Sequence, residues 1–208
     1  MNDPKKHPFN DYFELALYLI SAGCIVYFWI HGIHQKAFQG VLIIAVLTMI
    51  RGVVKFTKIE LFPALRFSIL FFIFLTMLLA NEFGFYGIIP YLDKIEHLLS
   101  GMILSLIGMV IYWKLKILEE ERHSYSTTAI WFSFFFSVAM AGFWEIYEFT
   151  TDYLFGLKSQ NSSLTDTMGD IICGTIGAVA TSIYLAFKAK RNSITYFDAL
   201  PRSNGSGK

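Results

Sequence analysis

YLDKIEHLLSGMILSLIGMVIY, residues 91–112, sets two carboxylates and an imidazole, Asp93, Glu96 and His97, at the mouth of an apolar run that continues to Tyr112. The run is long enough to approach the roughly 17–25 helical residues that cross about 30 Å of hydrocarbon. Composition extends the same reading to the whole chain of 208 residues, which is 55% hydrophobic and only 16% charged, with a mean hydropathy of +0.51. A soluble domain of this length cannot bury that much apolar surface, because much of any folded chain still faces solvent. Bilayer is the implied solvent.

Six segments are long enough, or nearly so, and apolar enough: Tyr12–Ile30, Phe38–Val54, Leu65–Ala80, Ile95–Tyr112, Ala129–Phe149 and about Asp170–Phe187. They lack the alternating faces of barrel strands, and an isolated apolar segment satisfies its backbone in lipid only as a helix. The sequence therefore predicts an all-α polytopic membrane protein. One six-helix transmembrane domain fills residues 1–192, and a flexible polar tail follows over 193–208. The first segment follows Lys5 and Lys6 as a signal peptide would, yet it carries Asp11 and Glu14 and has no small-residue cleavage pattern, so it reads as a retained helix.

Lys and Arg set the orientation. With the N-terminus inside, Lys5, Lys6, Arg51, Lys55, Lys58, Arg66, Lys114, Lys116, Arg122, Lys188, Lys190, Arg191, Arg202 and Lys208 fall on one side, 14 of 17 basic residues, against Lys36, Lys94 and Lys158 on the other. The positive-inside rule then places both termini in the cytoplasm, with integration into a cell membrane such as the bacterial inner membrane. The overall charge of +1 gives no reason to expect nucleic acid as a partner. Membrane lipids are the expected surroundings.

Acidic residues fall the other way. Glu82, Asp93, Glu96, Glu145, Glu148, Asp152, Asp166 and Asp170, half of the 16 acids, gather at the outer ends of helices three to six. Their spacings of three and four (Asp93 to Glu96 and His97, Glu145 to Glu148, Glu148 to Asp152, Asp166 to Asp170) put each set on one helix face. Asp93 and Asp166 also read as helix N-caps without chemistry. That account does not extend to Glu145 and Glu148, which approach the end of the fifth span, where the helix dipole disfavours anions.

Carboxylates crowded at membrane depth need a bound cation, shared protons or basic partners. With few basic residues on this side, the sequence points to a divalent metal site holding one or two ions, Mg, Mn, Ca, Zn or Fe, with the oxygen-rich donors favouring hard cations. Glu82, Asp93, His97, Glu145, Glu148 and Asp170 are the candidate ligands. Glu96, Asp152, Asp166 and Lys94 are candidates for the groups that hold those ligands in place. No HExxH and no paired Glu-x-x-His pattern assigns a named metal signature.

The economical chemistry for such a site is hydrolysis or group transfer, with Glu96 or Glu148 taking a proton and His97 beside them. Opening on the extracytoplasmic face, it would act on a lipid or lipid-linked head group. An ion- or proton-coupled transporter using the same acids is the alternative, and a purely structural polar network is a third reading. The sequence shows no broken helices or inverted repeat to favour transport.

Other residues fit blander roles. Cys24 and Cys173 read as small core residues; Ser68, Ser105, Ser133 and Ser137 as hydroxyls bonded within their own helices; Tyr86, Tyr91, Trp144, Tyr147 and Tyr153 as an outer aromatic belt; Arg51 and Arg66 as snorkelling residues of the inner interface. Gly101, Gly169, Gly174 and Gly177 predict close approach of the fourth and sixth helices. The FGLKSQNSS loop, 155–163, has room to act as a lid, with Lys158 facing an anionic head group and Asn161 in a glycosylation sequon, and EEER, 119–122, reads as a solvated inner loop.

DKIEHLLSG (93–101), WEIYE (144–148) and DTMGDIICGTIGA (166–178) resemble the corresponding segments of the bacterial inner-membrane family related to YjdF, and more distantly of VanZ-like membrane proteins. The resemblance implies a multi-helix membrane protein and singles out Asp93, Lys94, His97, Glu145, Glu148, Asp166 and Asp170 as shared site positions. It covers the last three helices, about half of the chain.

Overall fold

The computed structural model describes residues 8–116, 127–156, 159–160 and 163–190. Lys158, Asn161, the EEER run and the tail over 193–208 lie outside the described residues, as do Lys5, Lys6, Arg122, Arg191, Arg202 and Lys208 of the charge count. The described chain is a bundle of six helices: α1 (Pro8–Ile30), α2 (His34–Thr57), α3 (Pro63–Ile73), α4 (Leu92–Lys116), α5 (Thr127–Phe155) and α6 (Leu164–Lys190). Six helical segments are long and apolar enough to cross a membrane, counting α3 together with its continuation to Glu82.

Each helix outruns the apolar segment that announces it, because polar residues extend the ends. α5 runs past Glu148 to Phe155, with Thr150 and Thr151 returning their hydroxyls to the carbonyls of Ile146 and Tyr147 at 2.7 and 3.0 Å. It stops at Gly156, whose φ of +67° suits a residue without Cβ. Glu145 and Glu148 therefore lie inside the helix rather than in its last turn, so what opposes their charge there is burial, not the dipole. α6 starts earlier than Asp170: the Oγ of Ser163 accepts from the backbone N–H of Asp166 at 3.3 Å, making Ser163 the cap and freeing Asp166 for another partner.

Among the described residues, the span that begins with α3 holds the one stretch of π-helix. From Phe74 to Glu82 the helix widens to π-type hydrogen bonding before a short 3₁₀ turn, Phe85–Gly87, leads to α4. Such segments re-aim side chains and are frequent at functional sites. The span still runs unbroken from Pro63 to Glu82, and hydropathy, which reads the same in α and π geometry, does not announce the change.

α4, α5 and α6 each pack on the other two, α1 runs along α2, and α3 with its π segment joins the groups by touching α1, α2 and α4. Glycine explains the tightest seam. A Cβ on Gly101 would fall on the carbonyl oxygen of Gly174, and one on Gly177 on that of Leu98, so α4 and α6 approach backbone to backbone as the small residues predict. Ser105 and Ser133 share a 2.9 Å hydrogen bond, and Ser137 donates to the carbonyl of Gly101 at 2.8 Å. These three hydroxyls thus tie α4 to α5; of the four serines expected to bond within their own helices, Ser68 does so, to Ala64.

Leu17, Ile43, Leu47, Leu70, Ile73 and Leu78 form the core of the first three helices. Large apolar residues such as Trp29, Phe56, Phe135 and Phe187 remain exposed on the outside, the pattern of a bundle solvated by lipid. Arg66 is not a lone snorkelling residue: it pairs with Asp11 at 2.7 Å and Glu14 at 2.5 Å, Arg51 adds a 3.5 Å contact to Glu14, and Asn10 donates to the carbonyl of Pro63 at 2.8 Å. This network locks α1 to α3 at the bundle end opposite the acids of α4 to α6.

Candidate functional site

At the other end, α4 and α6 bring three of the candidate ligands together. Asp93, His97 and Asp170 each offer one ligand atom, all within 4.8 Å of one another. One turn of α4 separates Asp93 from His97, whose Nε2 stands 3.6 Å from Asp93 Oδ1, 3.7 Å from Asp170 Oδ1 and 3.9 Å from Glu145 Oε1. The imidazole is the hub of three carboxylates from three helices.

Lys94 supplies a charge that the sequence places only nearby. Its Nζ donates to Asp170 Oδ1 at 2.6 Å and to Asp166 Oδ1 at 2.7 Å, and lies 3.4 Å from Asp93 Oδ2. Gly169 makes room, since a Cβ there would stand 3.2 Å from Lys94 Cε. The four-carbon stem thus bends across the α4–α6 seam and neutralises part of the acid cluster.

Glu145 is 4% exposed and comes from α5. Gln160 dips its amide into the site, donating to the Glu145 carbonyl at 3.0 Å and to Oε2 at 3.2 Å, while Oε1 has no hydrogen-bond partner among the described residues. Asp152 holds that loop in place by accepting from the backbone N–H groups of Ser159 and Gln160 at 2.9 and 3.1 Å. Glu148, one turn beyond Glu145, accepts from the Trp144 indole at 2.9 Å and lies in the field of Glu145, His97 and Asp93.

Glu96 points elsewhere on α4. Its Oε2 accepts from the hydroxyl of Tyr86 at 2.6 Å and its Oε1 is buried without a hydrogen-bond partner among the described residues. Burial, and the hydrogen bond to Glu96 after it, push the Tyr86 phenol up from its ordinary range, so it remains a donor. Tyr86 is therefore more than a belt residue.

Glu82 stands outside the three-ligand group. It closes the π segment of α3, its backbone carbonyl accepts from Lys36 Nζ of α2, and both carboxylate oxygens are buried with no hydrogen-bond partner among the described residues. Of the sequence-selected residues, then, Asp93, Lys94, His97, Glu145, Asp166 and Asp170 share one cluster, Glu148 borders it, Asp152 anchors its loop, and Glu82 and Glu96 face separate surroundings. Gln160 and Tyr86 are the partners that spacing alone does not reveal. Chemically, the cluster offers carboxylate oxygens and an imidazole to a cation, and an ammonium to an anion.

No curated protein and no solved structure matches the chain. A protein family described as predicted membrane protein (DUF2238) matches residues 13–191. This agrees with the YjdF-like resemblance and extends it over the first three helices, while the VanZ-like likeness gains no support from it. The six membrane-length helices and the family match together establish that the chain belongs to the DUF2238 family of predicted membrane proteins.

Proposed function

We propose that the protein is a divalent-metal-dependent membrane enzyme, a hydrolase or transferase acting on an anionic lipid or lipid-linked head group at the extracytoplasmic face. The observation that carries the reading is the convergence of Asp93, His97 and Asp170 ligand atoms within 4.8 Å, joined by a Glu145 oxygen that is buried and has no hydrogen-bond partner among the described residues. Three oxygens and one imidazole nitrogen suit Mg²⁺, Mn²⁺, Fe²⁺ or Zn²⁺. Bound there, a divalent ion would polarise a phosphoryl or carbonyl oxygen and acidify water.

The chain's own groups complete the chemistry. Lys94, now shared by Asp166 and Asp170, is the cation that meets an anionic head group, and Glu148 at the border is the acceptor for the proton released by the attacking water. Asp152 and Gln160 fix the position of Glu145 from the loop. Elemental analysis of detergent-purified protein tests the reading: near-stoichiometric metal in the parent, and none in Glu145→Gln or Asp170→Asn variants that elute as the same folded species, supports it. No metal in the parent after supplying Mn²⁺ refutes it. Phosphoester and acyl-ester lipids are the substrates to screen next.

One observation favours a second reading, an ion- or proton-coupled carrier. The π segment Phe74–Glu82 that continues α3 ends on Glu82, whose buried carboxylate oxygens have no hydrogen-bond partner among the described residues, the kind of irregular helix and acid that ion pathways use. Flux in proteoliposomes that is lost in Glu82→Gln, with no turnover of any lipid, would decide for the carrier.

A further inference from the structure

Glu82 is 0% exposed, although Asn81 before it and Phe83 and Gly84 after it are all exposed. The π segment thus ends at the surface of the bundle on a side chain that is turned inward. Both carboxyl oxygens are occluded, and neither has a hydrogen-bond partner among the described residues.

The ammonium beside it is used elsewhere. Lys36 Nζ, from α2, donates to the backbone carbonyl of Glu82 and lies 5.4 Å from the centre of the Phe28 ring, so it does not bond the carboxyl group. The other titratable side chain in electrostatic contact with Glu82 is Cys24 of α1, and a thiol is mostly uncharged at neutral pH. An ionised carboxylate cut off from both water and donors is so costly that such a group takes up a proton instead.

We propose that Glu82 is a proton-binding site, holding a proton while its side chain is turned inward and releasing it to water when the side chain turns outward and pairs with Lys36. The ligand is a proton because nothing larger reaches oxygens that are occluded. Exchange needs little motion: Lys36 is half-buried and already sits on the carbonyl of the same residue, within reach of rotation about the side-chain bonds of Glu82. Each position then has matched charge, a neutral carboxyl inside and a carboxylate–ammonium pair outside. As the ion of the carrier, the proton rests on that second reading of the function; as the occupant of Glu82, it rests on burial and hydrogen bonding alone. The site belongs to α2 and the π segment, so it stands whether or not Asp93, His97 and Asp170 bind metal.

Infrared difference spectra of full-length protein in nanodiscs test it, with the parent compared against Glu82→Gln, or against Glu82→Leu if the glutamine variant does not fold. The expected result is the carbonyl stretch of a protonated carboxyl group in the parent at neutral pH, absent from the variant and fading as pH rises. Lys36→Met removes the partner of the outward carboxylate, so its proton should be held at least about tenfold more tightly, moving the midpoint up by about one pH unit or more. Lys36→Gln serves if the methionine variant does not fold. No such band at neutral pH overturns the inference, and so does an unmoved midpoint in a folded Lys36 variant. Proton flux in proteoliposomes of the same preparations reports separately on the carrier. A protonated Glu82 without flux upholds the site and removes the carrier reading, whereas flux with an ionised Glu82 overturns the site and leaves the carrier with another route.

Discussion

Lys94 Nζ lies 2.6 Å from Asp170 Oδ1, a contact made across the glycine seam between α4 and α6. Asp170 is nearly fully buried and Lys94 three-quarters buried, so the pair is short, partly desolvated and poised between two uses. Lys94 balances the negative charge of the cluster, and it competes with any cation that binds there.

Replacing Lys94 by Met separates those uses. Leaving Asp170 and Asp166 without their ammonium should lower stability by about 3 kcal/mol, at the low end for a broken buried pair because Lys94 keeps some contact with water. Mn²⁺ should restore the melting temperature of Lys94→Met more than it raises that of the parent, since the competing charge is gone. Thermal melts with and without Mn²⁺ check both statements, and an unrestored variant would argue for a structural ion pair.

The same seam makes a prediction from sterics alone. In Gly101→Ala the new methyl meets the backbone carbonyl of Gly174, which cannot rotate aside, whereas nothing lies within 4 Å of a Cβ on Gly142. Gly101→Ala should cost more than about 3 kcal/mol or prevent folding, and Gly142→Ala should be neutral or slightly stabilising. Size-exclusion profiles and melts of the two variants side by side provide the comparison.

These two cases show what was legible beforehand. Hydropathy delivers the six helices, because crossing lipid leaves the backbone no other option, and periods of three and four put Asp93 with His97 and Glu145 with Glu148 on shared faces. The glycines announce the close seam. Spacing within a helix, however, says nothing of rotation against its neighbours, so it cannot separate Glu82 and Glu96 from Asp93, His97 and Asp170, nor predict that Lys94 bends inward. Ser163 takes the cap from Asp166 because helix ends are set by local hydrogen bonds several residues before the apolar run begins. The π segment of α3 leaves no trace in hydropathy, and Gln160 enters from a loop whose composition reads only as polar.

Tyr86 gives the clearest pH dependence. Its raised pKa means that the folded state favours the protonated phenol, so this contribution is fully present below the unfolded value of about 10 and is lost as pH rises above it. Ultraviolet titration of the parent minus Tyr86→Phe should show no phenolate from this residue up to pH ~10. The Phe variant should also lose about 1–3 kcal/mol, because Glu96 then has two unpartnered oxygens. A normal phenol titration would mean that Tyr86 is solvated rather than held against Glu96.

Glu82 supplies the opposite expectation. It is fully buried at the end of the π segment, and neither oxygen has a hydrogen-bond partner among the described residues. A carboxyl group in that state destabilises the fold, so a variant that keeps its volume and discards its polarity should gain stability. Glu82→Leu is expected to melt higher than the parent, by the equivalent of about 1–3 kcal/mol, and Glu82→Gln to change little, since the amide is equally unpartnered. Stability gained together with activity lost would identify Glu82 as retained for function, in line with the carrier reading and the helix irregularity beside it. A lower melting temperature for the leucine variant would show instead that a cation or a donor stands against Glu82 in the membrane.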